Sequence, residues 1–196
     1  MGKVFWKGGA LLAPVPPTMV SCSDGEHDNI ITVAWTGTVS TNPPKTYISV
    51  RPSRHSYEMI KKSGEFVINL TTSKMLKAAD LCGIKTGRKI DKFKVCGLTK
   101  GRANIVNCPT IEESPLSIEC RVEGILPQGS HDMFIADIVG INVDERLIDE
   151  KGKLRLDKAD LVAFSHGEYF SLGKKLGYFG YSVAKKKKKR VPPKKS

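Results

Sequence analysis

The chain has 196 residues, of which 40% are hydrophobic and 27% are charged, so one globular domain with a sizeable core is expected. Its 18 glycines and 11 prolines indicate many turns, which favours a β-rich chain over a helical bundle. The formal net charge is +12, but eight of the basic residues lie within residues 185–196. The rest of the chain has 24 basic and 20 acidic residues, a net charge of +4, which does not favour nucleic-acid binding by the folded domain.

The first half of the chain is dominated by predicted strands. Residues 13–23 contain one candidate strand, followed by a turn at Asp24 and Gly25. Three β-branched or aromatic runs follow, at residues 29–35, 45–51 and 65–70, and turns with Gly or Pro separate them. Each run predicts a strand of an antiparallel sheet.

Two short helices are predicted between these strands and the second half. Residues 56–63 form one helix, with Ser56 as its N-cap and Gly64 as its stop. Residues 73–83 form the other, from Ser73 to Gly83.

A long hairpin is predicted in the second half. Apolar and polar residues alternate over 116–123, as in a half-buried antiparallel strand. A turn at 127–130 leads into a second, more buried strand over 132–144. Residues 165–183, rich in glycine and aromatics, are expected to close over the barrel. The elements together predict one mainly β domain over 1–184, a six- or seven-stranded antiparallel barrel with a few short helices.

Residues 185–196, KKKKKRVPPKKS, are predicted to be a disordered polybasic tail. Such a tail attracts polyanions weakly, so nucleic acid is an unfavoured partner of the whole chain. The alternative, a docking arm for nucleic acid or anionic lipid, remains open.

Five cysteines form no CxxC pair, and their odd number argues against a disulfide framework. No metal-ligand spacing is present among them or among the histidines, so no metal site is predicted. Inert buried thiols in a reducing compartment are expected instead. The N-terminal apolar stretch is too short for a secretion signal, and no run reaches 18 apolar residues, so we expect a cytoplasmic protein without a membrane span.

Residues 51–64 carry a candidate anion site. A helix start offers unpaired backbone N–H groups and partial positive charge. Arg51 and Arg54 add guanidinium donors that suit phosphate oxygens, and Ser53 and Ser56 can donate hydroxyls. The alternative is an ordinary helix cap with two surface arginines.

Two further segments leave alternatives open. The strand within residues 28–51 could lay its backbone against a flat ring, or be a buried strand with Trp35 in the core. His131, beside Asp132 in the turn, could hold a cofactor amide or simply cap the turn. The sequence contains no GxSxG motif and no Cys–His pairing that would support catalysis by the protein's own nucleophiles. This favours chemistry by a bound cofactor.

Taken together, these segments are similar to the flavin reductase family, which includes the flavoredoxins. The resemblance rests on the order of PPTMVSCSDGEHDNIITVAWTGTVSTNPPKTYISVRPSRHSYEMIKKSGEFVINLTT, GRKIDKF, GSHDMFIADIV and EYFSLGKKLGYFGYSV, and it spans roughly residues 13–183. It implies an FMN-binding split β-barrel of Greek-key topology, usually a homodimer with the flavin near the subunit interface.

The resemblance also implies roles for individual residues. The strand whose backbone lines the isoalloxazine ring is matched by Thr32, Val33, Ala34 and Trp35. The segment that holds the ribityl phosphate is matched by Ser49, Val50, Arg51, Arg54, His55 and Ser56. Lys92 is a further phosphate candidate, and Tyr169 is implied to cover the flavin. His131 matches a Gly-Asp-His-like turn on the nicotinamide side, although the order here is Ser-His-Asp.

The function implied is that of an NAD(P)H-dependent flavin reductase, in which hydride passes from reduced nicotinamide to FMN. The alternative is a flavoredoxin-like electron carrier that keeps FMN bound and serves a redox protein. A nucleic-acid-binding module is the least favoured hypothesis.

Overall fold

A computed structural model of the chain describes residues 1–184, and the predicted polybasic tail lies outside the described residues. Seven antiparallel strands form the main sheet. They are β1 (Thr18–Ser23), β2 (Asp28–Val33), β3 (Thr36–Thr41), β4 (Pro44–Val50), β5 (Glu65–Asn69), β8 (Leu116–Pro127) and β9 (Asp132–Val143). Two two-stranded ribbons complete the strands: β6 (Lys100–Gly101) with β7 (Thr110–Ile111), and β10 (Val162–Ser165) with β11 (Glu168–Ser171). The predicted mainly β antiparallel fold is confirmed.

The sheet runs in the order β2-β1-β5-β8-β9-β4-β3. Its two end strands, β2 and β3, are consecutive in the chain and joined only by a bend at Ala34 and Trp35. The sheet therefore curls round so that its two edge strands, β2 and β3, lie side by side, but no ladder of hydrogen bonds joins them. This gap is the split at which the candidate site lies.

The long hairpin β8–β9 forms the centre of the sheet, as the alternating pattern predicts. Ile118 pairs with Ile141 and Cys120 with Ile138, and the register shifts twice along the ladder. Such bulges bend a strand and increase its twist, which helps a sheet to curl. β8 also pairs with β5, and β9 with β4, so the hairpin holds the two halves of the sheet together.

In the described part of the chain, three α-helices pack against the sheet: α1 (His55–Ser63), α2 (Leu76–Ile84) and α3 (Lys92–Cys96). The prediction of Ser56 as N-cap is wrong, because Arg54 occupies the N-cap position of α1 and Ser56 lies buried in its first turn. Gly64 ends α1 with φ of 70°, as predicted. The predicted end of the second helix at Gly83 falls one residue short, and a 3₁₀ turn over Ser73–Met75 precedes it.

The main core lies inside the curled sheet and includes Phe66, Phe134, Ile48 and Ile60. A second cluster, which includes Met19, Ile30, Met75 and Phe93, fixes α2 and α3 on the outer side of β1 and β2. Within residues 1–184, no helix has the length and apolar composition needed to cross a membrane.

Candidate functional site

A cavity of about 200 Å³ opens at the split, between β2, the segment after β4, the start of α1 and the loop after α2. We call it the anion cavity. Four of its lining residues are basic and none is acidic: Arg51, Arg54, Lys85 and Lys92. Among residues 1–184, no carboxylate lies within 4.0 Å of these four side chains. The cavity thus concentrates positive charge that the described part of the chain does not neutralise.

The turn after β4 brings the two arginines to the start of α1. The backbone N–H of Arg54 donates to the carbonyl of Arg51 at 3.0 Å, which closes a tight turn ahead of the helix. Both side chains are exposed at the cavity mouth, and no side chain caps the helix. The first backbone N–H groups of α1 therefore add to the donors available to an anion.

Asn29 and Ser56 form the buried wall of the anion cavity. Asn29 is 4% exposed and Ser56 is 1% exposed, and the Asn29 amide donates to the Ser56 hydroxyl at 2.8 Å. Gly87 approaches this pair so closely that a Cβ there would lie 2.2 Å from Asn29 Oδ1. Asn29 and Gly87 are site residues that sequence reasoning missed, since an amide inside a strand pattern carries no signal of its own.

Lys92 projects into the cavity from the first residue of α3. It is only 3% exposed, and its ammonium donates to the carbonyl oxygens of Ile30 at 2.7 Å and Cys82 at 2.8 Å. Burial lowers the pKa of Lys92 from the ordinary lysine value, and the positive charge of Arg54 acts in the same direction. A buried ammonium held by two carbonyls has a third N–H to offer to an anion.

A second group of predicted residues meets at the mouth of the cavity. His131, in the β8–β9 turn, accepts a hydrogen bond at Nε2 from Arg51 Nε at 3.3 Å. The Trp35 ring lies 4.5 Å from the His131 ring, at a tilt of 47°. Burial lowers the pKa of His131, and the charges of Arg51 and Arg54 lower it further, so the imidazole is neutral at pH 7.

Asp132 is oriented by α1 rather than by the turn. The Tyr57 hydroxyl donates to Asp132 Oδ2 at 2.5 Å, and this bond raises the pKa of Tyr57 to about 12. The hydrogen bond ties the tip of the hairpin to the helix that borders the anion cavity. His131 therefore lies between Asp132, which Tyr57 holds in place, and Arg51, which donates a hydrogen bond to its ring.

The structure unites some of the predicted residues and separates others. Arg51, Arg54, His55, Ser56 and Lys92 all line the anion cavity. The strand residues Thr32, Val33, Ala34 and Trp35 lie beyond it, along the split, and Ser49 and Val50 lead into it from β4. The alternative that places Trp35 in the core is wrong: the chain bends after β2, and Trp35 is 44% exposed.

Thr32 and Tyr169 both contact α2. The Thr32 hydroxyl donates to the carbonyl of Ala79, and the Tyr169 hydroxyl donates to Asp80 at 3.1 Å. The Tyr169 ring also packs on Phe164, 5.1 Å away across the β10–β11 ribbon. Tyr169 therefore stands at the outer side of α2 and does not line the anion cavity.

In a comparison with protein families, the model described as a flavin reductase like domain matches residues 11–173. Among solved structures, the flavoredoxin of Desulfovibrio vulgaris (Miyazaki F) is 28% identical with a TM-score of 0.87, over 93% of this chain and 100% of that one. The flavoredoxin of Methanosarcina acetivorans is 25% identical with a TM-score of 0.85, over 94% of this chain and 100% of that one.

Among curated proteins, an NADH-dependent FMN reductase of Streptomyces nodosus subsp. asukaensis is 22% identical over 146 residues, which cover 74% of this chain and 77% of that protein. Together with the strand order, these similarities confirm the split-barrel architecture that the sequence resemblance implies.

Proposed function

Since the chain belongs to the flavin reductase-like domain family, we propose that it is an FMN-binding oxidoreductase whose anion cavity holds the flavin phosphate. The observation that carries this proposal is Lys92, an almost fully buried ammonium that faces a cavity lined by further basic residues. Burying a charge is costly unless it is paired, and a phosphate is a partner of matching charge and geometry.

The size of the cavity limits which part of FMN it takes. At about 200 Å³ it is smaller than the roughly 300–1,000 Å³ usual for whole ligands, so it fits the phosphate end alone. The flavin ring then extends along the split, past β2 and towards Trp35 and His131. The backbone of Thr32, Val33, Ala34 and Trp35 is the candidate surface for its polar edge, with Ser49 and Val50 alongside the ribityl chain.

The residues around the split have distinct roles in this proposal. Arg51, Arg54 and Lys92 bind the phosphate, together with the first N–H groups of α1 and the Ser56 hydroxyl. His131, neutral and hydrogen-bonded to Arg51, is the candidate contact for a reduced nicotinamide. When bound, FMN would supply the redox chemistry by accepting hydride and passing electrons on. The chain supplies orientation and electrostatics.

The phosphate assignment can be tested by comparing FMN with riboflavin, which lacks the phosphate. In Lys92→Met the affinity for FMN should fall about 10- to 100-fold, the scale of a lost charged hydrogen bond or two. Riboflavin affinity should change little. Lys94→Met removes the same charge from an exposed position of the same helix and serves as the control. Fluorescence titration measures the six dissociation constants, for FMN and riboflavin with the unsubstituted protein and each variant.

Two results would contradict the assignment. One is an unchanged FMN affinity in Lys92→Met. The other is an equal loss for FMN and riboflavin, which would mean that the substitution damages the ring site or the fold.

Within this proposal, NAD(P)H-dependent flavin reductase is the leading activity, and a flavoredoxin-like electron carrier is the alternative. The similarity to an FMN reductase supports the first, and the fuller similarity to two flavoredoxins supports the second. Steady-state oxidation of NADH and NADPH with added FMN separates them. Turnover supports the reductase, whereas a protein that retains FMN and shows no turnover supports the carrier and its redox-protein partner.

We also propose that the chain forms a homodimer, as the family resemblance implies. Both ends of the described chain present apolar side chains to solvent: Phe5 is 92% exposed and Phe179 is 106% exposed. Burial of such residues against a second copy would be favourable. Sedimentation velocity should give twice the chain mass, and a monomer at micromolar concentration would contradict the proposal.

A further inference from the structure

Two cysteines from neighbouring helices meet beside the anion cavity. Cys82 on α2 is 1% exposed, and Cys96, the last residue of α3, is partly exposed. Their Sγ atoms are 3.9 Å apart, with both thiols reduced. A disulfide bond is about 2.05 Å long, so the sulfurs need to approach by about 1.9 Å.

The pair lies between two cavities. Cys82 lines the anion cavity. Cys96 lines a second cavity of about 460 Å³, together with Met75, Leu81 and Leu98. A small oxidant can therefore reach Cys96 from the surface without entering the core.

Cys82 is contacted twice by α3. Lys92 donates from its ammonium to the Cys82 carbonyl at 2.8 Å, and Cys96 lies four residues later, so both residues are on one face of the helix. The sulfur contact and the position of the Lys92 ammonium therefore depend on the same packing of α3 on α2. A movement of α3 that changes the distance between the two sulfurs would therefore also move the Lys92 ammonium.

We propose that Cys82 and Cys96 are a dithiol that peroxides oxidise to a reversible disulfide, which links α2 to α3 and weakens anion binding in the adjacent cavity. The disulfide site stands apart from the proposed function. The effect on the cavity rests on the proposed function, since it is read out as FMN affinity.

The chemistry needs one peroxide for each pair. The Cys96 thiolate attacks a peroxide oxygen, forming an S–O bond and breaking the O–O bond, and with hydrogen peroxide the departing hydroxide takes a proton to become water. The Cys82 sulfur then attacks the Cys96 sulfenic acid, forming the S–S bond, and a second water leaves. Two thiols lose two electrons and two protons, and the peroxide is reduced to two waters.

The order of attack follows from exposure. Burial, with a smaller contribution from the neighbouring Cys96, raises the pKa of Cys82 to about 12, so Cys82 holds little thiolate at neutral pH. Cys96, the more accessible thiol, is therefore the first to react, and Cys82 resolves the sulfenic acid.

Peptide mapping of the full-length protein tests the disulfide. Trypsin places Cys82 in residues 78–85 and Cys96 in residues 95–100, whereas Cys108 and Cys120 share residues 103–121. After hydrogen peroxide treatment and alkylation, residues 78–85 should be linked to 95–100, with a mass two hydrogens below the sum, and dithiothreitol should separate them. Alkylated thiols at both positions, or sulfinic acid at Cys96 without a link, would overturn the disulfide.

The effect on the cavity is tested by FMN titration of reduced and oxidised protein. Oxidation should weaken FMN binding about tenfold, the scale of one charged hydrogen bond. Cys96→Ser should bind FMN like the reduced protein and show no change after peroxide. An unchanged affinity in the linked protein would overturn the coupling alone. Absence of FMN binding by reduced protein would instead contradict the proposed function, and the mapping result would still decide the disulfide.

Discussion

At the scale of single residues, Gly87 leaves the space that Asn29 fills at the wall of the anion cavity. A methyl group at Gly87 would overlap the Asn29 amide, with Cβ only 2.2 Å from Oδ1. Gly87→Ala should therefore displace Asn29 from Ser56 and weaken FMN binding about tenfold, the scale of one or two lost hydrogen bonds. Isothermal titration with FMN measures the change.

A glycine of α2 provides the matched control for this substitution. At Gly83 the nearest atom to an added Cβ is Thr32 Cβ at 3.4 Å, which is ordinary contact. Gly83→Ala should keep FMN affinity and stabilise the helix by up to about 1 kcal/mol. Equal FMN affinities in the Gly87 and Gly83 variants would show that Asn29 does not position the ligand.

The His131 imidazole gives a pH dependence at the mouth of the split. Its pKa is lowered from 6.5, chiefly by burial and then by Arg51, so the folded state binds this proton less readily than the unfolded state. The stability that neutral His131 contributes is present above about pH 6.5 and is lost as the pH falls towards the lower folded-state pKa. An NMR titration should place the His131 midpoint below 6.5.

Arg51→Gln should move that midpoint up towards 6.5, because it removes the nearer guanidinium. A midpoint at or above 6.5 in the unsubstituted protein would contradict the geometry of this cluster.

At this scale the basic residues beside α1 were predictable from the sequence, and the buried amide of Asn29 was not. Arg51 and Arg54 stand out because two guanidinium groups precede a helix, and that arrangement suits phosphate wherever it occurs. Asn29 does not stand out, because its role depends on Ser56 and Gly87, which are distant in the chain. Trp35 was ambiguous, because the bend that exposes it is set by the path of β3, a strand that the sequence pattern did not indicate.

At the scale of elements, a buried carboxylate of β8 fixes a loop on the sheet. Glu119 is fully buried, and it accepts hydrogen bonds from the backbone N–H groups of Asn104, Ile105 and Val106 at 2.9, 2.7 and 3.0 Å. The Asn142 amide donates to it as well, at 2.7 Å. Burial disfavours the charged carboxylate, but these four donors outweigh it and lower the pKa of Glu119.

Glu119→Gln should destabilise the fold by about 2–3 kcal/mol, because an amide N–H group would face backbone donors. Glu123→Gln, at an exposed position of the same strand, should cost less than about 1 kcal/mol. Urea unfolding measures the free energy of unfolding of both variants.

In the unsubstituted protein the contribution of Glu119 to stability is present above about pH 4.5 and is lost as the pH falls through its lowered folded-state pKa. Equal midpoints for the two variants would argue against this role.

Elements with strong periodicity were predicted well. Strict alternation over residues 116–123 identified β8, and β-branched runs identified β2, β4, β5 and β9. α3 was missed because five residues give too little helical periodicity, and β3 was missed because its residues are small and polar. Because α3 and β3 both lie near the candidate site, the local sequence pattern predicted the main sheet better than it predicted the elements around the site.

At the scale of the whole molecule, the charge of the chain divides between domain and tail. We propose that residues 1–184 carry the flavin site and that residues 185–196, with eight of the 32 basic residues, carry the attraction for polyanions. Removal of 185–196 should leave FMN affinity within twofold and lower the salt concentration that elutes the protein from heparin. Unchanged elution after truncation would assign polyanion binding to the domain.

The strand order also has a consequence for biosynthesis. The residues that line the anion cavity all lie between Asn29 and Lys92, whereas β8 and β9, which join β5 to β4, come later in the chain. A nascent chain that has emerged only as far as residue 100 therefore carries the residues that line the anion cavity without the β8–β9 hairpin that holds the strands in register. On the proposed function, FMN can be captured only after the ribosome has released the β8–β9 hairpin, so strands made later in synthesis decide when the earlier ones can bind the cofactor.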